Sequence, residues 1–186
     1  MHRQLSAIIA QYEGAERRVR LLSDRLSDTQ WQARREPTRW SPAECVVHLN
    51  LTSAACLPLI ETGLDAAAEL PPTLYDGYRR DPLGWLISVM TGPLQQSGRL
   101  RLGAIATAPA FEPSGPLERS AVLAEFSRLQ ALQLAAVREA DELPIDCVSV
   151  NSPFDRRLRY SIYSLFCILP RHQLRHVVQA EHIWPT

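Results

Sequence analysis

The sequence predicts an all-α fold, a four-helix bundle with one long crossover between its second and third helices. Three observations predict it. Four segments place apolar residues at three- and four-residue steps, the repeat of one helical face. No run alternates convincingly with period two, so no sheet is expected. Only one connection is long, residues 71–116, and it holds seven of the 14 prolines and six of the eight glycines, which disqualifies it as a core helix.

The first helix spans residues 2–27. Leu5, Ile8, Ile9, Tyr12, Val19, Leu22 and Leu26 form its stripe, with Arg17, Arg18, Asp24 and Arg25 between. "SDTQWQARREPTRW" reads as a linker. "SPAE" (41–44) then starts the second helix. Ser41 caps it, Pro42 suits the first helical position and Glu44 completes a capping box. This helix runs into the sixties with Cys45, His48, Leu49, Thr52, Cys56 and Leu59 inward, and a kink or early break is expected at Pro58. Residues 71–116 read as an irregular excursion covering one end of the bundle, with a short helix at "DPLGWLISVM" (81–90). Residues 116–141 return to helix behind Pro116, with Val122, Phe126, Leu129, Leu132, Ala136 and Ala140 as the stripe. "LPIDCVSVNSPFDRRLRY" connects to a last helix, Ser161 to Trp184, whose stripe is Leu165, Leu169, His172, His176, Ala180 and Ile183, with a kink expected at Phe166–Pro170.

The bulk numbers bound the function. At 186 residues the chain reads as one domain (1–186), and it carries 20 basic and 20 acidic residues, a net charge of zero. That argues against a nucleic-acid binder working by phosphate neutralisation. Four cysteines stand singly, without a CxxC or a dense disulfide framework. The start lacks the apolar core of a secretory signal, and no run reaches the ~18 apolar residues of a membrane span. The expectation is a cytoplasmic protein with reduced thiols and no membrane partner.

The chemistry concentrates in "LPRHQLRHVVQAEHI" (169–183), which holds three of the five histidines. His172 and His176, four apart, share one helical face about 5–6 Å apart at Cβ. Both lie on the inward stripe, and so does His48 on the second helix. A buried imidazole must satisfy both ring nitrogens or bear a cost of about 1–3 kcal/mol per unmet group. One shared divalent ion would satisfy a nitrogen of each; three separately hydrogen-bonded core histidines are the alternative. His182 points about 240° away from His176. His2 is terminal.

"WSPAECVVHLN" (40–50) resembles the start of the second helix in the DinB/YfiT-like superfamily, where W-S-x-x-E-x-x-x-H-L recurs. "PRHQLRHVVQAEHI" (170–183) resembles that family's final helix, with its histidine pair followed by glutamine. The resemblance covers nearly the whole chain. It implies a four-helix bundle, often dimeric, with a three-histidine metal site, whose ligands here are His48, His172 and His176. The long segment 71–116 departs from the family's pattern.

Three neutral ligands without a carboxylate leave an ion an open position, as catalytic sites do and closed structural zinc sites do not. Such an ion acidifies water for hydrolysis or a thiol for attack on an electrophile. The resemblance favours the second, because characterised members are transferases and isomerases using small thiols such as bacillithiol or mycothiol. The expected reading is therefore a metal-dependent enzyme of the thiol S-transferase type acting on a small-molecule substrate. A metal-dependent hydrolase and a non-catalytic metal-binding or stress-response protein are the alternatives. Zinc suits three imidazoles best, with nickel or iron compatible.

The neighbours have plainer readings too. Glu44 is an acceptor or base beside His48, or only a cap. Cys45 is a fourth ligand, or a small buried thiol. Gln179 could touch the site edge, whereas Glu181 turns away as a surface charge. Arg156, Arg157, Arg159, Arg171 and Arg175 either steer an anionic thiol or form a solvated basic face. Trp31, Trp40 and Trp184 read as core or staple residues. A fourth protein ligand from Cys45 or Glu44 would point to the non-catalytic reading.

Overall fold

The structure, a computed structural model, describes residues 1–71, 77–92, 107–115 and 117–184. Its helices are α1 (Arg3–Arg25), α2 (Asp28–Gln32), α3 (Pro42–Ala68), α4 (Pro82–Thr91), α5 (Arg119–Glu139) and α6 (Ile162–Glu181), with a 3-10 turn at Pro109–Phe111. The long helices α1, α3, α5 and α6 form the expected bundle. α1 packs on α5 and α6, α3 packs on the same two, and α4 docks against α6.

Local chemistry explains most boundaries. Ser41 and Glu44 form the capping box of α3, with Ser41 N–H donating to Glu44 Oε2 at 2.7 Å and Glu44 N–H to Ser41 Oγ at 3.2 Å. The expected break at Pro58 does not occur, and α3 continues ten residues beyond it to Ala68. Pro58 and Ala54, the residue whose carbonyl it leaves unbonded, both face solvent, where water satisfies the carbonyl. α6 likewise runs unbroken through Pro170. Although α3 is long and apolar enough to cross a membrane by length and composition, 67% of its most apolar window is buried in the fold.

Several expectations need correction. The linker after α1 contains α2, opened by a second capping box from Ser27 and Gln30 and anchored by fully buried Trp31. Leu132, placed on the stripe of α5, is 41% exposed. α5 is capped by Glu118, whose carboxylate accepts from Ser120 N–H and Ala121 N–H; Pro116 lies outside the described residues. A small antiparallel hairpin pairs β1 (Ser149–Asn151) with β2 (Arg159–Ser161). Three residues per strand are too few to display a period-two pattern, which is why the sequence conceals it.

The start of α4 is tied to the start of α6 by one carboxylate. Asp81 caps α4 through Gly84 N–H at 2.6 Å, and it accepts from Ser161 N–H, Ser161 Oγ and Ser164 Oγ at 2.9, 2.9 and 2.6 Å. The helices approach closely at Gly84, where a Cβ would lie 2.3 Å from Ser164 Cβ.

Apolar packing falls into two clusters. One gathers Leu5, Tyr12, Ile60, Leu64, Val137, Ile145 and Phe166, and the other Val19, Trp31, Leu49, Phe126, Val177 and Ile183.

Candidate metal centre

α3 and α6 pack side by side, and their inward stripes bring three imidazoles together. His48 is 4% exposed, and His172 and His176 are partly buried. Ring centroids lie 5.2 Å apart for His48 and His172, 4.5 Å for His48 and His176, and 4.6 Å for His172 and His176. One donor nitrogen from each falls within 4.8 Å of the other two.

Hydrogen bonds orient the donors. His48 Nδ1 stands 2.8 Å from the Phe111 carbonyl oxygen, which can only accept, so Nδ1 carries the proton and Nε2 keeps its lone pair. That Nε2 lies 3.1 Å from His172 Nε2. In the metal-free protein His172 therefore donates to His48. Two imidazole nitrogens bound tetrahedrally to one zinc ion would sit about 3.3 Å apart, so the pair is already spaced for a common ion. His176 Nδ1 is buried without a hydrogen-bond partner among the described residues. Trp40 closes one wall, stacked on His176 at 5.9 Å and tilted against His48 at 4.9 Å, and Phe154 stands 6.5 Å from His172.

All three imidazoles are held neutral. Burial lowers the pKa of His48, against the pull of the Phe111 carbonyl. Burial, then His48 and Arg175, bring His172 to about 3. Burial pushes His176 well below its ordinary value, helped by His172, His48 and Arg175 and partly offset by Gln179, whose side chain reaches the ring. Neutral imidazole is the form that binds a metal. A convergent, neutral nitrogen set with one buried nitrogen unpartnered fits a divalent ion.

The neighbouring candidates separate clearly. Glu44 is taken by the capping box and by Arg34, whose Nη2 donates to Oε1 at 2.7 Å. Cys45 packs in the core, where burial and the Glu44 charge push its thiol pKa up and disfavour the thiolate a metal needs. Glu181, expected as a surface charge turned away from the site, pairs with Arg18 at 2.9 Å and ties α6 to α1. His182 caps α6, its Nδ1 donating to the Val178 carbonyl at 2.6 Å, and His2 caps α1 by accepting from Gln4 N–H.

Two of the five arginines are structural. Arg171 Nε donates to Ser88 O at 2.9 Å and Arg175 Nη1 to Met90 O at 2.7 Å. They hold the last turn of α4, where carbonyls lack helical partners.

Sequence reasoning missed the Phe111 carbonyl, which lies inside the excursion. Every residue carries that acceptor, so nothing in the pattern could single it out. The stacking of Trp40 had one signal, its place directly before the cap of α3.

A helical bundle whose core-facing histidines from two helices converge on one point is a candidate metal-binding protein. The chain belongs to the DinB superfamily, whose family model matches residues 11–180. Neither a curated protein nor a solved structure matches it.

Proposed function

We propose that the protein is a divalent-metal-dependent enzyme of the thiol S-transferase type, with His48, His172 and His176 as the metal ligands. One observation carries the reading: three neutral imidazoles converge while Glu44 and Cys45, the residues able to close the site, are engaged elsewhere. A divalent ion bound there would acidify a thiol or a water at neutral pH. The chain's own groups do the rest. The Phe111 carbonyl holds His48 in the tautomer that presents Nε2. Trp40 and Phe154 give the site an aromatic rim for the apolar part of a small-molecule substrate. Thiol transfer is favoured over hydrolysis because Glu44, the carboxylate one turn from His48, is held by Arg34 and Ser41 and so is a poor general base. Zinc is the best match to three imidazoles, and nickel or iron would also bind. A homodimer is the assembly the family membership favours.

Elemental analysis of the purified protein and of His172→Ala tests the metal. About one ion per chain is expected in the first and a large loss in the variant; equal content in both refutes the site. A panel of small thiols with a generic electrophile, run with and without chelator, tests the reaction. Turnover insensitive to chelation would exclude a metal-dependent thiol mechanism.

A further inference from the structure

Between the two apolar clusters lies a layer of amide side chains. Gln130 and Gln133 of α5 and Gln173 of α6 are each at most 1% exposed. Gln173 Nε2 donates to Gln130 Oε1 at 2.8 Å and lies 3.3 Å from Gln133 Oε1 and 3.5 Å from Ser53 Oγ of α3. Gln130 Nε2 donates to the Tyr12 carbonyl of α1 at 3.1 Å. The layer thus links all four long helices. It is incompletely satisfied, since Gln133 Nε2 and Gln173 Oε1 are buried with no partner among the described residues. An apolar layer of the same volume would serve stability as well or better, and buried polar groups are retained in some proteins because they set register.

The helix that needs its register set is α6. Every residue from Ile162 to Pro170 is buried. That half of α6 has no exposed face, and its polar side chains, Tyr163 and Ser164, are held by Gln4 and Asp81 at the first turn, so beyond them only apolar side chains follow as far as Pro170. One residue step turns a helix about 100°. Gln173 directly follows His172 and precedes His176 by three, so a one-residue rotation would bring His172 to the place of Gln173 and take it from His48.

We propose that the Gln130–Gln133–Gln173 layer is a positioning device for the metal centre: its hydrogen bonds from α5 to α6 set the rotation of α6 so that His172 and His176 meet His48. The proposal rests on those three histidines being metal ligands. Gln173→Leu removes the donor while keeping a buried side chain of similar size. The variant leaves the buried Gln130 and Gln133 carbonyl oxygens without this donor, so the metal-free protein is expected to melt below the wild type whatever the role of Gln173, and the metal readout decides. Titration with Co2+, followed by its visible absorption, is expected to show binding weakened by about tenfold or more, with an altered spectrum. A merely structural glutamine would leave the affinity and spectrum of the folded protein unchanged. Wild-type affinity and spectrum in Gln173→Leu would overturn the proposal.

Two further measurements keep the test decisive. If Gln173→Leu does not fold, Gln130→Leu cuts the same network from α5 and is read by the same criteria. If the wild type binds no Co2+, the metal reading fails by itself, and the imidazole 15N shifts of the metal-free proteins decide the positioning. Loss of the His48–His172 hydrogen bond in the variant supports it; unchanged shifts overturn it.

Discussion

Asp81→Ala should be the most damaging single change outside the bundle core. The carboxylate accepts four hydrogen bonds from the starts of two helices. Losing the cap of α4 costs about 1 kcal/mol. The hydroxyls of Ser161 and Ser164, 2% and 1% exposed, lose their acceptor with no water to replace it, at about 1–1.5 kcal/mol each. The total is about 3–4 kcal/mol, or a fall in melting temperature of about 10 °C for a chain of this size. The loss also has a pH signature. Burial raises the pKa of Asp81, but hydrogen bonds from Ser164, Ser161 and Gly84 outweigh it, and the folded value lies below the ordinary 3.8. A carboxylate with a depressed pKa contributes stability that is fully present above its unfolded value and is lost as pH falls through its folded one. The gap between wild type and Asp81→Ala should therefore be constant near neutrality and narrow below about pH 3.8. Chemical denaturation followed by circular dichroism across that range measures it. A variant within about 1 kcal/mol of wild type at pH 7 would refute the clasp as a stabilising element.

Metal should stabilise the fold through the histidines. At a zinc concentration a hundredfold above Kd the expected gain is about 2.7 kcal/mol, seen as a rise in melting temperature of about 5–10 °C, and His172→Ala should show none. An equal rise in the variant would place the ion elsewhere. Two glycines should respond with opposite signs. Gly84→Ala puts a Cβ 2.3 Å from Ser164 Cβ, and overpacking of about 1–3 kcal/mol should exceed the helix-propensity gain of about 1 kcal/mol. Gly14→Ala, in α1 with nothing within 4 Å of its Cβ, should gain about 0.5–1 kcal/mol. Equal responses at the two positions in thermal melts would show that contact with α6 does not constrain Gly84.

The four long helices and the shared inward placement of His48, His172 and His176 were legible in the sequence because they rest on local repeats: a 3.6-residue apolar period, a Ser41–Glu44 cap and a four-residue histidine spacing. α2 was missed although Ser27 and Gln30 carry a capping signal, because the segment is too short to show a period. Pro58 does not end α3, for a physical reason. The cost of a helical proline depends on whether the carbonyl it frees meets water, and that is a property of the packed face.

By itself, the sequence determined the fold class, the stripe positions of the histidines and the family motifs that single them out. Only the tertiary structure decided which groups are spoken for. It placed the Phe111 carbonyl against His48, assigned Glu44 to Arg34, turned Arg171 and Arg175 onto the end of α4, and set the amide layer beneath the centre. Each of these is a contact between segments 10 to 120 residues apart or a backbone acceptor that any residue could supply. Spacing encodes what a helix presents on one face. What meets that face depends on how the chain closes on itself, and that is where the chemistry of three similar histidines becomes one site.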